Sequence, residues 1–530
     1  QRVPLAWLAA VVGLSVEAAA TEAEPAIAAG VLAPSPGAPG ELSFAHALIR
    51  ETAYGSLNRV ARARLHRDVA TTLARRFPDV CARDPLTLAR HAQGAGDADL
   101  ATAQLLVAAR RAIGASAFPE VDALTSRGLE LIRRSADPAA LGAREIELLT
   151  TRGLALISTK GYSSQEVEAT YSRAVQLFDD LSRVPLHVLY GVWGVHLVRA
   201  DARATARLVQ LLEGRLADAS HDEALVVHAC LGVHSWFTVR LGDARRHFTA
   251  CVDAFDEGDP AGHHRRLLGE YRFENALAGH YWLAWVDFVE GDVVGARRWI
   301  AKTRDLAARI DDPYMSCQVA VYLATLAREL GDVPLAAELT LVASQLASEH
   351  ELLFWRALAF CVEGWLAARA GAAGGADLVR MGLSILDASG AIVNRSYFQT
   401  VLVEVLTLAG QDVDAEAAAD VGLAQDATSL GPLFQAELLR LRGVALDRSG
   451  RQAEAEDHLT AARSLARIQG MRVAALRAAR DLRDHLARRG RRPDPEEELA
   501  REVERFPGGV EAARALLGDP AEPGAGTSLG

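Results

Sequence analysis

The chain holds 530 residues, 50% of them hydrophobic and only 6% aromatic, with a net charge of −11. That length exceeds what one core uses, so several domains or a repeat array are expected. Charges are spread without long runs, which excludes an extended nucleic-acid surface, and beyond the N terminus no apolar run reaches membrane-spanning length. Ala, Leu, Arg and Glu favour helices, and strand-like alternation is nearly absent, so the chain reads as all-α.

Residues 1–78 read as a module of their own. Short helices are expected over 4–13 and 15–29, then a strand at 31–33, a loop of turn formers over 34–40 and a returning strand at 41–44. Helices over 46–57 and 58–77 follow. Helix, helix, hairpin, helix is the order of a small winged-helix domain, often a DNA reader. The helix that would enter the groove carries Glu17, Glu22 and Glu24 and no Arg or Lys, so phosphate repels it and no nucleic-acid partner is expected. The apolar run from Leu5 to Leu14 has the length of a secretory leader. Only Arg2 precedes it and the helical pattern continues past it, so it is assigned to the module. The chain does not open on Met and reads as a piece of a longer protein or a processed form.

Residues 79–160 are expected to be a helical adaptor, and 161–505 an array. The array shows in Gly291, Gly331, Gly371, Gly410 and Gly450, which recur about every 40 residues. Five residues after each comes Ala296, Ala336, Ala376, Ala415 or Ala455, and seven before each comes Ala284, Ala324, Gly364, Val403 or Gly443. Gly tolerates the positive φ that ends the first helix of a hairpin, and the small residues let the two helices approach. This resembles the tetratricopeptide repeat, whose period is shorter at about 34 residues. The expectation is a tetratricopeptide-like α-solenoid of helix hairpins. The pattern extends loosely back through Gly242 and Gly161. The wider gap between Gly242 and Gly291 is assigned to a loop at 256–262. Pro493 and Pro495 follow Gly490 where the next helix should run, so the array is expected to fray there. Residues 506–530 read as a terminal helix and flexible tail.

Solenoids are binding surfaces, so the array is expected to take a protein or peptide ligand. Trp236, Trp282 and Trp285 are the candidate partner-binding residues, because Trp282 and Trp285 share a helix face close to Tyr281 and Trp299. Aromatics at that spacing also fill the space between helices. His263 and His264, near Asp256, Glu257 and Asp259, match no metal-ligand spacing, so no metal is assigned. Cys81, Cys230, Cys251, Cys317 and Cys361 are odd in number and widely spaced, which fits a reducing cytoplasm.

The run from Phe44 to Leu57, with Arg64-Leu-His66, carries the pattern Phe-x-His-Ala-Leu, then Glu, Tyr and Leu, then Arg-x-x-Leu-His. It resembles the region after the nucleotide-binding domain of bacterial signal-transduction ATPases with numerous domains. The likeness is to those fused to a class III adenylate/guanylate cyclase or a protein kinase domain. Stretches 347–352, 363–365, 382–383, 436–443, 462–470 and 476–479 are similar to the same family's repeats. The resemblance implies a regulatory or sensor and scaffold region that controls an upstream ATPase domain, where ATP or ADP binds. It also implies that His46, at the start of the helix after the hairpin, contacts a nucleotide phosphate, a role that a helix N-terminus favours. A capping or packed His is the other reading. The chain itself departs from a catalytic unit. Thr159 precedes Lys160 and Ala301 precedes Lys302, so neither lysine belongs to a phosphate-cradling Gly-Lys loop. No catalytic motif and no cofactor site are assigned within the chain. A freestanding adaptor and the regulatory part of an ATP-dependent transcription regulator are the alternatives.

Overall fold

A computed structural model describes residues 2–35, 40–490 and 494–517. The chain falls into two compact units, Gln1–Arg152 and Gly153–Gly530.

The first unit opens with strand β1 (Arg2–Pro4), helices α1 (Leu5–Val12) and α2 (Val16–Ala28), strands β2 (Leu32–Pro34) and β3 (Glu41–Phe44), and helices α3 (Ala47–Ser56) and α4 (Arg59–Arg76). The expected helices and hairpin are present. The strand β1 was not foreseen, because three residues carry no readable alternation. It pairs antiparallel with β3, which sits between β1 and β2. Gly13 turns the chain at φ 76°, and Ser15 caps α2 by accepting the Ala18 amide at 3.1 Å. The axes of α1 and α2 therefore differ by 102°. The middle of the expected 34–40 loop lies outside the described residues. Trp7 on α1 packs on Phe77 at 6.1 Å, beside the buried Ala70, Leu73 and Leu88. Helices Pro78–Arg83, Pro85–Ala95, Ala98–Gly114 and Phe118–Arg133 follow, so the stretch expected to be a helical adaptor is helical.

The second unit is an α-solenoid of helix hairpins. Ala278–Glu290 pairs with Val293–Ile310, Pro313–Glu329 with Val333–Glu349, Leu353–Arg369 with Gly375–Ser389, Arg395–Leu408 with Asp412–Asp426, and Gln435–Arg448 with Gln452–Gln469. Gly291, Gly331, Gly371, Gly410, Gly450 and Gly490 all sit at positive φ, between 70° and 93°. The first helix of a pair is the inner one. In Ala278–Glu290 every residue from Ala278 to Val289 is buried, whereas the second helix buries one stripe.

Four expectations need correction. Gly242 is not a turn residue: it lies inside helix Leu241–Ala254, and the left-handed position there is Val239 (φ 58°). Gly375, not Ala376, meets Gly364, because the turn after Gly371 is longer; a Cβ on Gly364 would stand 2.4 Å from the Gly375 carbonyl. The segment 256–262 is not simply a loop, since an extra helix, Pro260–Tyr271, occupies most of the inserted length. A helix, Asp494–Glu504, does follow Gly490, and Gly509–Leu517 comes after it. Residue 495 is an early position of that helix, where Pro costs no hydrogen bond, and Pro493 lies outside the described residues. The tail from 518 on lies outside the described residues.

The array coils until successive turns touch. The Val198 carbonyl accepts the amides of Ile392 at 2.8 Å and Val393 at 3.0 Å. Arg477 reaches Glu329, 148 positions away, at 2.7 Å. The concave side is thereby closed into a narrow axis lined by the inner helices.

Candidate functional sites

In the first unit, the β3 strand delivers His46 to the N-terminus of α3. His46 is the N-cap residue, with an exposed side chain that makes no capping bond. The structure thus leaves its imidazole open to solvent at a helix end, where a packed or capping His would be engaged. Helix α3 buries no residue. Leu48 is 73% exposed and Tyr54 48%, and on α4 Val60 is 79% and Leu65 42% exposed. The motif residues Tyr54 and His66 are linked, with Tyr54 Oη 2.9 Å from His66 Nε2. His66 Nδ1 lies 3.1 Å from Nδ1 of His91, so one ring donates and the other accepts. Burial pushes His91 down to about 4 and lowers His66 as well.

In the second unit, Trp236, Trp282 and Trp285 come together on the axis. Trp236 stands 5.4 Å from Trp282 and 6.2 Å from Trp285, ring centre to ring centre. Trp236 is 1% exposed and the other two 5%, so they fill the space between inner helices. They also border a small cavity of about 30 Å³, together with Tyr322, Tyr397 and Phe434. The indole N–H groups of Trp282 and Trp285 have no hydrogen-bond partner among the described residues.

A larger cavity of about 70 Å³ adjoins Trp282 on the same axis. Glu274, only 2% exposed, enters it from the short stretch between Pro260–Tyr271 and Ala278–Glu290. Its Oε1 accepts the hydroxyls of Tyr190, at 2.9 Å, and of Tyr162. Its Oε2 has no partner among the described residues, and neither has Oε1 of Gln318 on the same wall. Burial pushes the Glu274 carboxyl up, against the pull of the tyrosine hydrogen bonds.

Farther along the axis, a cavity of about 50 Å³ meets an ionic network. Arg328 pairs with Glu329 and Glu404. Arg477 binds Glu329, and Arg440 binds Glu437 at 2.6 Å and also Asp481. Trp365 donates its indole N–H to Glu404 at 2.8 Å. Sequence reasoning missed both Glu274 and this network. Glu437 and Arg440 at i, i+3 on one helix were the visible signal for the second.

His263 and His264 lie on helix Pro260–Tyr271 and are buried. His263 Nδ1 accepts the Asp256 amide at 2.8 Å, which leaves Nε2–H for Asp222 at 3.0 Å. That arrangement is a latch between helices. Among the described residues no three His, Cys, Asp or Glu side chains are grouped to hold a metal. No single described helix is long and apolar enough to cross a membrane.

No protein-family model matches the chain. It is 23% identical over 457 residues to an uncharacterized protein of Rhizobium meliloti (strain 1021), across 83% of this chain and 43% of that protein. The chain thus spans less than half the length of the curated relative it matches. Among solved structures it is similar to a Rap protein complexed with competence and sporulation factor, at 13% identity over 71% of this chain and all of that one, with a TM-score of 0.47. It is also similar to a signal-transduction ATPase with a tetratricopeptide repeat sensor from Pyrococcus horikoshii. That likeness has 11% identity over 95% of this chain and 60% of that one, with a TM-score of 0.30. Yeast Tom70 gives 11% identity over 86% of this chain and 94% of that one, with a TM-score of 0.32. The solenoid assignment rests on the helix hairpins themselves.

Proposed function

We propose that the chain is the sensor and scaffold region of a multidomain signalling ATPase. In this reading residues 1–78, within the first unit, form a winged-helix domain that docks on an upstream nucleotide-binding domain. The second unit takes a protein, peptide or small ligand. The observation that carries the reading is the uncovered apolar surface of α3 and α4, with Leu48 and Val60 more than two-thirds exposed beside an unengaged His46. A monomer gains nothing by exposing such side chains at the end of a motif that resembles an ATPase linker. The occupant of that surface is the nucleotide-binding domain, and His46 contacts the phosphate of its bound ADP. Ligand binding to the solenoid shifts the closed and open states by its differential affinity for them. The output is cyclic-nucleotide synthesis or phosphorylation by a further domain.

Two measurements test this. The gene read upstream of Gln1 in frame should encode a P-loop; a start codon close by with no ATPase would make the chain a freestanding adaptor. In the full-length protein, His46→Ala should speed ADP release about tenfold or more, since a hydrogen bond to a charged group contributes about 1.5–3 kcal/mol. Leu48→Asp should do the same by loosening the docked face. Unchanged release in both variants refutes the docking.

A further inference from the structure

The larger axial cavity has the chemistry of a cation site. Its wall includes Tyr190, Trp193, Trp282, Tyr322, Phe354 and Trp355. Trp282 meets Tyr322 at a tilt at 5.3 Å, Tyr322 meets Trp355 edge to face at 5.7 Å, and Tyr190 stacks on Trp193 at 6.1 Å. Ring faces carry negative potential and attract cations, most of all where water is excluded. Among the described residues Glu274 is the one carboxyl in the lining, and no Arg, Lys or His takes part in it. His264 and Arg272, which donates to the Gly269 carbonyl, both lie outside the lining. Two buried acceptors, Glu274 Oε2 and Gln318 Oε1, point to a donor that the chain does not supply among its described residues. A buried acceptor without a donor is costly, so such atoms mark a place built for something else. The volume, about 70 Å³, holds several atoms where one water needs only about 10–15 Å³.

We infer that this cavity binds the ammonium head of a small organic amine, with Glu274 as its counter-ion, Gln318 as a second acceptor and the tryptophan and tyrosine rings as a cage. An anion is excluded by the carboxylate. An ammonium supplies the charge that holds Glu274 ionised against its burial, and a neutral polyol supplies none. The site names the ligand class for the solenoid and so rests on the reading of the second unit as the binding part.

The test is a fluorescence titration of the whole chain at constant ionic strength, because Trp193, Trp282 and Trp355 line the cavity. The probes are ethylammonium and choline chlorides. Their neutral partners of matched shape are ethanol and 3,3-dimethylbutan-1-ol. At least one ammonium should saturate about tenfold or more tightly than its neutral partner, the scale of a charge-assisted contact in a dry aromatic site. Glu274→Gln should erase that preference while leaving the helical circular dichroism unchanged. The comparison of probes on the unaltered chain decides even if that variant fails to fold. Equal binding of the neutral partner, or no saturation by either ammonium at millimolar concentration, overturns the inference. The ADP-release comparison of His46→Ala and Leu48→Asp is made without these probes, so the docking reading and the cation site fail separately.

Discussion

Removing Arg328 should cost more than any exposed charge in the array. Its side chain is 5% exposed and is held between Glu404 and Glu329, with the Trp365 and Tyr397 rings 5.7 and 5.8 Å away. Arg328→Met keeps most of the volume and deletes the charge. Glu329 then still has Arg477 at 2.7 Å and the Tyr397 hydroxyl at 3.2 Å. Glu404 keeps only the Trp365 indole, at 2.8 Å, among the contacts that bind it directly. It therefore becomes a half-buried carboxylate, its side chain 32% exposed, with no cation in direct contact among the described residues. Breaking one side of a fully buried pair costs about 3–5 kcal/mol and an exposed one about 1 kcal/mol or less, so with Glu404 half-buried the loss should be about 2–3 kcal/mol, whereas replacing both sides is often close to neutral. Arg328→Met/Glu404→Gln should accordingly recover most of the loss. Urea unfolding followed by tryptophan fluorescence is the assay, because seven of the eight tryptophans lie in the second unit and only Trp7 in the first. The penalty should also shrink as pH falls towards 5. Burial pushes Glu404 up while Arg328 beside it holds it low; without Arg328, a proton can neutralise Glu404. A single-variant loss under about 1 kcal/mol, or a double variant no better than the single, would refute the argument that the network is a dry and interdependent one.

Other outcomes follow from the same packing. Gly364→Ala gains up to about 1 kcal/mol of helix propensity, but its Cβ would stand 2.4 Å from the Gly375 carbonyl, which cannot rotate away. The net effect should be a loss of about 1–3 kcal/mol. Gly443→Ala meets the flexible end of Leu459 at 2.8 Å and should lose less; the reverse order in urea midpoints would contradict the backbone-clash account. Burial pushes His187, His234 and His280 down to about 4, below the usual 6.5 of an unfolded chain. Between those values the unfolded state binds more protons, so the stability is fully present above about pH 6.5 and falls away towards pH 4. For His187 alone the loss reaches about 3 kcal/mol, and His187→Gln should flatten the pH profile of unfolding at the acid end. A profile unchanged by that variant would mean His187 titrates normally.

The hairpins from Gly291 to Gly450 were readable because Gly is the residue that enters the left-handed turn without strain. The earlier hairpins were hidden for the same reason. Their turns place Ala200 and Val239 at φ 56° and 58°, so the period continues with no glycine to mark it. The tryptophan stripe was legible as a stripe, and the axis it fills was not. Closure of the coil depends on pairs such as Arg477 with Glu329 and Tyr162 with Glu274, 148 and 112 positions apart, which no local pattern encodes. Glu274 sits in a short stretch outside any helix and belongs to no motif. Yet the sequence did flag its place. The one wide gap in the glycine period contains the extra helix Pro260–Tyr271 and the connection after it. A regular hairpin would run straight from one helix into the next and present only helix faces to the axis. The inserted helix lengthens the path, and the returning backbone is what carries Phe273 and Glu274 into the cavity wall. The lapse in the repeat is therefore where the array stops being generic: an acid that a periodic helix pair has no position for is delivered by the segment that breaks the period.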